Sequence, residues 1–443
     1  MDYDYDILFI GGGLNYAGAV KAASYGMKTA LVERDMKRLG GTCLHRGCIP
    51  SKIYLSAAER LLGTREELFA GEMELDISRL KRKKERVLAD SLRAIKRQCA
   101  AVKLIEGEAI LHAPHTVRVA GSDISARYIV IGTGASPLIP DGVKYDAQRV
   151  IVSDDIFEME SLPRRVTVYG SGAIALELLS FFAACSVECE LILESQRVLE
   201  SAHPEISSAM HEQLVELGVR LISGAEIVSA CTQGERVKIE FSDASSHETP
   251  MLLLACGRVA NIPKIEFDSI ETDESGIVCD EYFESTLASH YAVGDCNGRA
   301  ASAHAARAQV LNVVDRVAGR RVERIRQTDI TNFIRTLPCS YASVGDIRSG
   351  FEKRGVDFRE ALTRLDGTPY SFMHAARNAM VVIYADEDSF ISGAEIFAPG
   401  AEESIYSLSM ALATETDARL AGRTIAAHPT FSEFVERSIK RLR

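Results

Sequence analysis

The order of apolar and polar positions along this chain changes rhythm several times, and each change marks an element. Asp6–Ile10 reads as an apolar strand, Gly11–Gly13 as a turn, Ala17–Tyr25 as a helix, and Lys28–Glu33 as a second strand closing on an acid. Strand spacing gives way to helical spacing at the glycines, the pattern of a parallel strand–turn–helix–strand unit. From Ile53 to Ala101 the spacing is helical with mixed charge, and the basic run Arg79–Arg86 is expected to form a helix's solvated face. Strand-like segments return at Val102–Ile110, Val117–Val119 and Tyr128–Thr133, the last closing on Gly134. The opening pattern then repeats: strand Val166–Tyr169, a glycine turn from Gly170 into a helix, and strand Glu190–Leu193 ending in Glu194. Residues 219–254 are β-rich, His290–Asp295 is a short strand ending in an aspartate, and a helix begins near Ala303. Beyond Val322 the pattern shifts to alternating strands (Ser340–Val344, Ala379–Tyr384, Phe390–Phe397) and two helices, Ala401–Thr414 and Phe431–Leu442. This order predicts an α/β chain with a smaller α+β domain at its end.

Composition narrows the possibilities. At 443 residues the chain exceeds one compact core, and its 47% hydrophobic and 26% charged content is that of an ordinary globular protein. A net charge of -11 argues against bulk binding of nucleic acid or anionic membrane. No apolar stretch is long enough to span a bilayer. The acidic start MDYDYD runs directly into a strand, so no signal peptide is expected and a cytoplasmic location is. Of ten cysteines, eight are scattered irregularly and read as reduced core thiols, Cys185 and Cys189 among them.

The two glycine turns carry the first chemical signal. Glycine lets the backbone approach a pyrophosphate, the helix start favours its charge, and an acid about 20 residues on holds a ribose hydroxyl. Gly11, Gly13 and Glu33 fit this, but Tyr16 stands where a third glycine is expected. The second turn is a full GxGxxA: Gly170, Gly172 and Ala175, with Glu194 as its acid. A carboxylate there accepts from a ribose diol and repels a 2′-phosphate, so NAD is expected over NADP, with Arg197 nearby as the complication.

Two further clusters stand out, one at Gly40–Lys52 and one near the end of the chain. Gly40–Lys52 reads GGTCLHRGCIPSK, with Cys43 and Cys48 separated by four residues and Gly47 beside the second sulfur. This spacing can close a small ring, and a pair so close in a cytosolic chain is more plausible as a redox couple than as a staple. The plainer readings are a coincidental pair of half-buried thiols or a fragment of a zinc site, and no second cysteine or histidine pair follows to complete the latter. Near the end stands His428-Pro-Thr-Phe-Ser-Glu433. Thr430-x-x-Glu433 is also a capping box, so Glu433 has a purely structural alternative, as does His428 in a loop.

Taken together, the GGTCLHRGCIPSK and HPTxSE strings, the two glycine turns, IVIGTGASP, LLLACGRVAN and HYAVGD resemble the pyridine nucleotide–disulfide oxidoreductases over nearly the whole chain. The PSK ending is most similar to the dihydrolipoamide dehydrogenase branch. The resemblance implies two Rossmann-like dinucleotide-binding domains of the three-layer ββα/α type plus an α+β dimerisation domain. Its expected boundaries are 1–148 and 276–321 for the FAD domain, 149–275 for the NAD domain and 322–443 for the dimerisation domain. It implies FAD at Gly11, Gly13, Glu33, Thr42, Lys52, Ala109, Gly134, Asp295 and Ala303, with His304 lining the flavin edge. NAD falls to Gly170, Gly172, Ala175, Glu194 and Gly257. Asp295 as a plain strand-end or N-cap residue is the simpler alternative.

By the same resemblance Cys43 is the interchange thiol and Cys48 the thiol against the flavin. His428 is the acid–base, oriented by Glu433, and Lys52 balances flavin charge with Glu177 as its partner, where the plainer reading of Glu177 is a solvated helical acid. It further implies a homodimer acting on a small dithiol or disulfide, with any lipoyl domain carried on a separate chain. The last cysteine is Cys339, so the second cysteine pair of a mercuric or large thioredoxin reductase is not seen. His45 and Arg46 between the cysteines, and the wording of Ala375–Met380, depart from the lipoamide pattern. A reductase of another low-molecular-weight disulfide, or a flavin scaffold without turnover, are the alternatives.

Overall fold

A computed structural model describes residues 2–65, 68–299 and 301–442. It divides into two compact units. The first combines residues 1–53, 78–138 and 258–327. Its sheet is built on strand Tyr5–Ile10, which pairs in parallel with Thr29–Glu33 on one side and Ser122–Ile131 on the other. Lys103–Glu106 extends it beyond Thr29–Glu33, and His290–Ala292 lies parallel to Ser122–Ile131. Ile7, Leu8 and Phe9 have no exposed surface, because both faces of the sheet are covered. On one face Ile7, Phe9 and Leu31 pack with Ala19 and Ala22 of helix Asn15–Ser24 and with Val310 and Val313 of helix Ala303–Val317. On the other, Leu8, Ala30 and Val32 meet the antiparallel strands Ala109–Ala113 and Thr116–Val119.

Close helix packing here does not depend on the missing third glycine. A Cβ at Gly18 would lie 2.4 Å from Val310 Cγ2, so Gly18, two residues past Tyr16, is what lets the two helices touch. Tyr16 is half-buried at the edge of the same cluster.

The second unit combines residues 54–77, 139–257 and 328–443. Arg165–Tyr169 is the middle strand of a five-stranded parallel sheet, flanked by Glu188–Leu193 and Leu252–Leu254. Helix Ala173–Ala184 is buried along nearly its whole length, so its apolar residues follow no single stripe. An antiparallel meander, Ile227–Gln233, Arg236–Phe241 and Ser246–Thr249, adds a third layer. The same unit holds a five-stranded antiparallel sheet, in the order Asn332–Ile334, Ser340–Gly345, Ile391–Ala398, Met380–Ala385, Arg359–Arg364. Helix Ser432–Arg441 is tied to its edge where Ser438 Oγ donates to Thr363 Oγ1 at 2.6 Å.

Several sequence expectations are corrected. Val102–Ile110 is two strands, Lys103–Glu106 and Ala109–Ala113, because Gly107 turns with φ 151° where a Cβ would strike Val119. Ala401–Thr414 is two helices, Ala401–Ser404 and Tyr406–Ala413, separated at the buried Ile405. Strand His290–Ala292 ends before Asp295, which sits in one turn of 3₁₀ helix, Gly294–Asn297. The basic run lies on helix Ile77–Gln98 as expected, but Lys84 is 2% exposed and shares the buried side with Leu80. Its neighbours Arg82, Lys83, Glu85 and Arg86 are solvated.

Candidate active site

Gly40 and Gly41 adopt left-handed conformations, φ 101° and 64°, which non-glycine residues rarely tolerate. A Cβ on Gly41 would lie 2.7 Å from Gly13 Cα, so the cysteine segment is laid directly against the first glycine turn. Short helix Gly41–His45 carries Thr42 and Cys43; after Arg46 and Gly47, helix Cys48–Gly63 begins on the second cysteine. Gly47 works by contact: a Cβ there would sit 3.0 Å from Thr42 O and 3.4 Å from Cys43 Cα. The chain can therefore fold back far enough for the sulfurs to meet. Both thiols are reduced, and Cys43 is hydrogen-bonded to Cys48. That bond, with burial behind it, pushes the Cys43 thiol far above its usual range, while the Lys52 charge pulls it down. Lys52 stands one helical turn after Cys48. Between the thiols, His45 Nε2 lies 3.0 Å from Leu39 O and burial lowers its pKa, whereas Arg46 is exposed.

The glycine turn of this unit is shaped for a dinucleotide. Gly11 has φ 94°, and a Cβ would strike Gly132 O at 2.5 Å; at Gly12 one would strike Glu33 Oε2 at 2.8 Å. At Gly13 and Gly134 a Cβ would meet nothing within 4 Å. Backbone crowds the rear of the turn and space opens in front of it, which fits a diphosphate group. Glu33 is half-buried, accepting from Gly12 N at 2.6 Å and from Asp35 N at 3.2 Å. Asn15, not flagged from the sequence, is 2% exposed, donates Nδ2 to Ile10 O at 3.0 Å and leaves its Oδ1 buried without a hydrogen bond.

Ala109 is buried at the start of its strand. Burial raises the pKa of Asp295, opposed by the Arg258 charge. Asp295 is not a helix cap: the following helix opens at Ala303 with Ser302 Oγ accepting from Ala305 N at 3.4 Å. Gln309 Oε1 fixes the aspartate's turn by accepting from Gly294 N at 2.7 Å and Asn297 Nδ2 at 3.1 Å. His304 is exposed, 3.3 Å from Ser302 Oγ. Cys43, Cys48, Lys52, Thr42, Gly11, Gly13, Glu33, Ala109, Gly134, Asp295 and Ala303 thus all belong to one compact unit.

The second unit repeats the turn. Gly170 has φ 126°, and a Cβ would strike Ala255 O at 2.4 Å, whereas one on Gly172 would meet nothing. Ala175 is fully buried against the sheet and Gly257 turns with φ 149°. Glu177 is 6% exposed and accepts the Arg335 N–H at 3.0 Å, which excludes the solvated helical reading. Glu194 is exposed at the end of its strand and accepts from the Tyr169 hydroxyl. Nothing in the sequence motif points to Tyr169.

At the C-terminal end Glu433 makes two contacts. Its Oε1 is 2.9 Å from His428 Nδ1, and its Oε2 accepts from Thr430 N at 3.1 Å. One carboxylate ties down the turn before the helix through the Thr430 amide and orients an imidazole that is itself solvent-exposed; the Thr430 hydroxyl donates to Ala427 O instead of to the helix, so the reciprocal half of the capping box is not made. The His428 bond, then the Thr430 amide, lowers the Glu433 pKa.

A paired thiol beside one glycine turn, with a second such turn in the other unit, defines a dinucleotide-dependent disulfide oxidoreductase. Comparison with known proteins makes the class specific. Residues 5–309 match the pyridine nucleotide-disulphide oxidoreductase model and residues 337–439 the dimerisation domain of the same group, so the chain belongs to this family of FAD- and NAD(P)-dependent enzymes. It is 31% identical to dihydrolipoyl dehydrogenase 2 of Haloarcula marismortui, covering 97% of this chain and 95% of that one. It is 28% identical to dihydrolipoyl dehydrogenase of Chlamydia muridarum (98% and 96% covered) and 28% identical to mercuric reductase of Lysinibacillus sphaericus (97% and 81%). In fold it is similar to LpdA from Mycobacterium tuberculosis, with TM-score 0.90 at 22% identity over 99% of both chains. The HOCl-induced flavoprotein disulfide reductase RclA from Escherichia coli gives 0.88 at 20% identity, over 99% of this chain and 100% of that one. Among the described residues no helix is long and apolar enough to cross a membrane.

Proposed function

We propose that this enzyme passes electrons between a small dithiol, dihydrolipoamide, and NAD through the Cys43–Cys48 pair. The hydrogen-bonded thiol pair, laid against a glycine turn with room for a diphosphate, carries the reading. When bound, the flavin and nicotinamide supply two-electron and hydride transfer. The chain's own part begins with the pair as a disulfide. A substrate thiolate attacks the interchange sulfur of Cys43, forming a mixed disulfide and releasing Cys48 as thiolate. The second substrate thiolate then breaks the mixed disulfide, freeing oxidised substrate and the reduced pair. His428 accepts the first substrate thiol proton at Nε2, with Nδ1 held by Glu433, so the tautomer is fixed for the task, and the second thiol proton ends on the Cys43 sulfur displaced in the second exchange. Lys52, acting electrostatically on Cys43, stabilises thiolate, and we assign it and Glu177 to charge balance at the flavin.

We assign FAD to Gly11, Gly13, Glu33, Thr42, Lys52, Ala109, Gly134, Asp295 and Ala303. NAD is assigned to Gly170, Gly172, Ala175, Glu194 and Gly257. The active form is a two-fold homodimer. Phe372, Met373, Tyr406, Met410 and Ile425 are exposed within the span matching the dimerisation domain, apolar side chains of the kind a partner copy would cover. Sedimentation showing a fully active monomer would overturn the dimer. The ten free thiols suit a reducing, cytoplasmic compartment.

The exposed Arg46 between the thiols favours one second reading, an NAD(P)H-dependent reductase of another, anionic disulfide. Both are tested by NAD⁺ reduction with dihydrolipoamide beside NADH- and NADPH-driven reduction of a disulfide panel. Turnover with dihydrolipoamide, lost in Cys48→Ser, supports the first reading. Activity confined to another disulfide moves the substrate. A reducible flavin without any turnover leaves a scaffold subunit.

A further inference from the structure

The second dinucleotide turn contains a hydrogen bond absent from its motif. Tyr169 is the last residue of strand Arg165–Tyr169, 3% exposed, and stands opposite Ile192 of the neighbouring parallel strand. Side chains two apart on a strand share a face, so Glu194 is the diagonal neighbour of Tyr169 on the same side of the sheet. Its hydroxyl donates to Glu194 Oε1. The Ile227 backbone amide, from the meander strand Ile227–Gln233, also faces the hydroxyl oxygen. The hydroxyl therefore lies between that amide and the strand-end carboxylate it donates to. Burial and the Glu194 charge push its pKa up, so it remains a donor across ordinary pH.

The alternative partner for Glu194 is close in sequence. Arg197 is exposed three residues further on, and among the described residues no ion pair joins the two. A carboxylate free to rotate at the strand end would be drawn to that guanidinium, losing both its acceptor role and its unbalanced charge.

We propose that Tyr169 is a positioning residue for nicotinamide dinucleotide selection. It holds Glu194 by one oxygen, leaves the other for the adenosine ribose diol, and keeps the negative charge available to repel a 2′-phosphate. The inference rests on Glu194 as the ribose acceptor proposed above. It adds what holds that acceptor in place: a side chain from the strand before the glycine turn, outside the motif.

The test uses flavin-loaded enzyme with Tyr169→Phe, Glu194→Ala and the double variant. KM and kcat are measured with NADH and NADPH, and equilibrium binding is measured with 5′-AMP and 2′,5′-ADP as probes. Tyr169→Phe keeps the buried ring, and the flavin spectrum reports that the fold is intact. The expected result is a KM for NADH raised roughly tenfold with little change in kcat, as for loss of one bond to a charged group. The KM for NADPH and the affinity for 2′,5′-ADP should hold or improve, so selectivity narrows. The double variant should match Glu194→Ala alone, since Tyr169 acts only through that carboxylate. Parallel shifts for NADH and NADPH, or additive losses in the double variant, would overturn the inference. If Glu194→Ala abolishes discrimination while Tyr169→Phe does nothing, Tyr169 falls and the ribose acceptor stands. If Glu194→Ala leaves NADH binding untouched, the acceptor reading itself fails and takes the inference with it.

Discussion

The two glycine turns are near copies in backbone and opposites in how they hold their acids. In both, the first glycine is left-handed and backs onto a carbonyl, Gly132 O at 2.5 Å from a Cβ on Gly11 and Ala255 O at 2.4 Å from one on Gly170. In both, the third residue of the turn, Gly13 or Gly172, faces open space. The strand-end acids differ. Glu33 is held by the amide of the turn itself, Gly12 N at 2.6 Å, whereas Glu194 is held by the Tyr169 hydroxyl. A backbone clamp cannot be removed by substitution without rebuilding the turn. A side-chain clamp can be removed by one substitution. The hold on Glu33 is therefore set by the backbone, and the hold on Glu194 can be altered by a single substitution.

The largest test of that contrast replaces the two first glycines. Gly11→Ala should yield protein that cannot retain FAD, since both the left-handed backbone and the carbonyl contact forbid a Cβ. Gly170→Ala should retain flavin yet raise KM for NADH by at least about tenfold, given a penalty of roughly 1–2 kcal/mol for the left-handed backbone alone. Flavin content per chain and steady-state kinetics separate the two; flavin loss in both variants would erase the distinction. Next in size, His428→Gln should lower the dithiol half-reaction by about 10²- to 10⁴-fold while NADH still reduces the flavin. Stopped-flow measurement of each half-reaction checks this, and equal slowing of both would remove His428 from the proton role.

A smaller effect is expected at Gly47. Gly47→Ala must open the 3.0 Å approach to Thr42 O, separating the thiols and slowing disulfide closure by several-fold without releasing flavin. Thiol titration of reduced and NAD⁺-oxidised enzyme would show it. Smallest is the pH response of the His428–Glu433 bond. The Glu433 pKa is lowered in the folded state, so the bond's contribution is fully present above the unfolded value of 4.5. It is lost only as pH falls through the lower folded value. Imidazole ¹⁵N shifts of His428 should show this bond intact down to pH 4.5; its loss already at pH 5.5 would contradict the lowered pKa.

Those parts of the molecule set by short-range rules were legible in the sequence. The glycine turns, the paired cysteines and HPTxSE combine residue type with spacing, so local geometry follows from them directly. What stayed hidden depends on who the neighbour is. Gly18 looks like any helical glycine until Val310 arrives against it from a distant segment. Tyr169 reads as a core aromatic closing a strand, and only the register with Ile192 brings it to Glu194. Lys84 sits in a basic run that reads as solvent-facing, and the helix buries it in line with Leu80. Strand Arg359–Arg364 begins and ends in arginine and has a glutamate beside the first, which masks its buried Ala361 and Thr363.

Glu433 divides its two oxygens between the turn before a helix and an imidazole, and this joins two properties usually free to vary separately. Fraying of the first turn of Ser432–Arg441 releases the carboxylate, and with it the orientation of His428. Competence for proton transfer is thereby tied to local opening of a terminal helix, the kind of event that occurs well below global melting. Heat or mild denaturant should silence the dithiol reaction while the sheets remain intact, and amide exchange at the start of this helix should report the fraction of enzyme able to turn over.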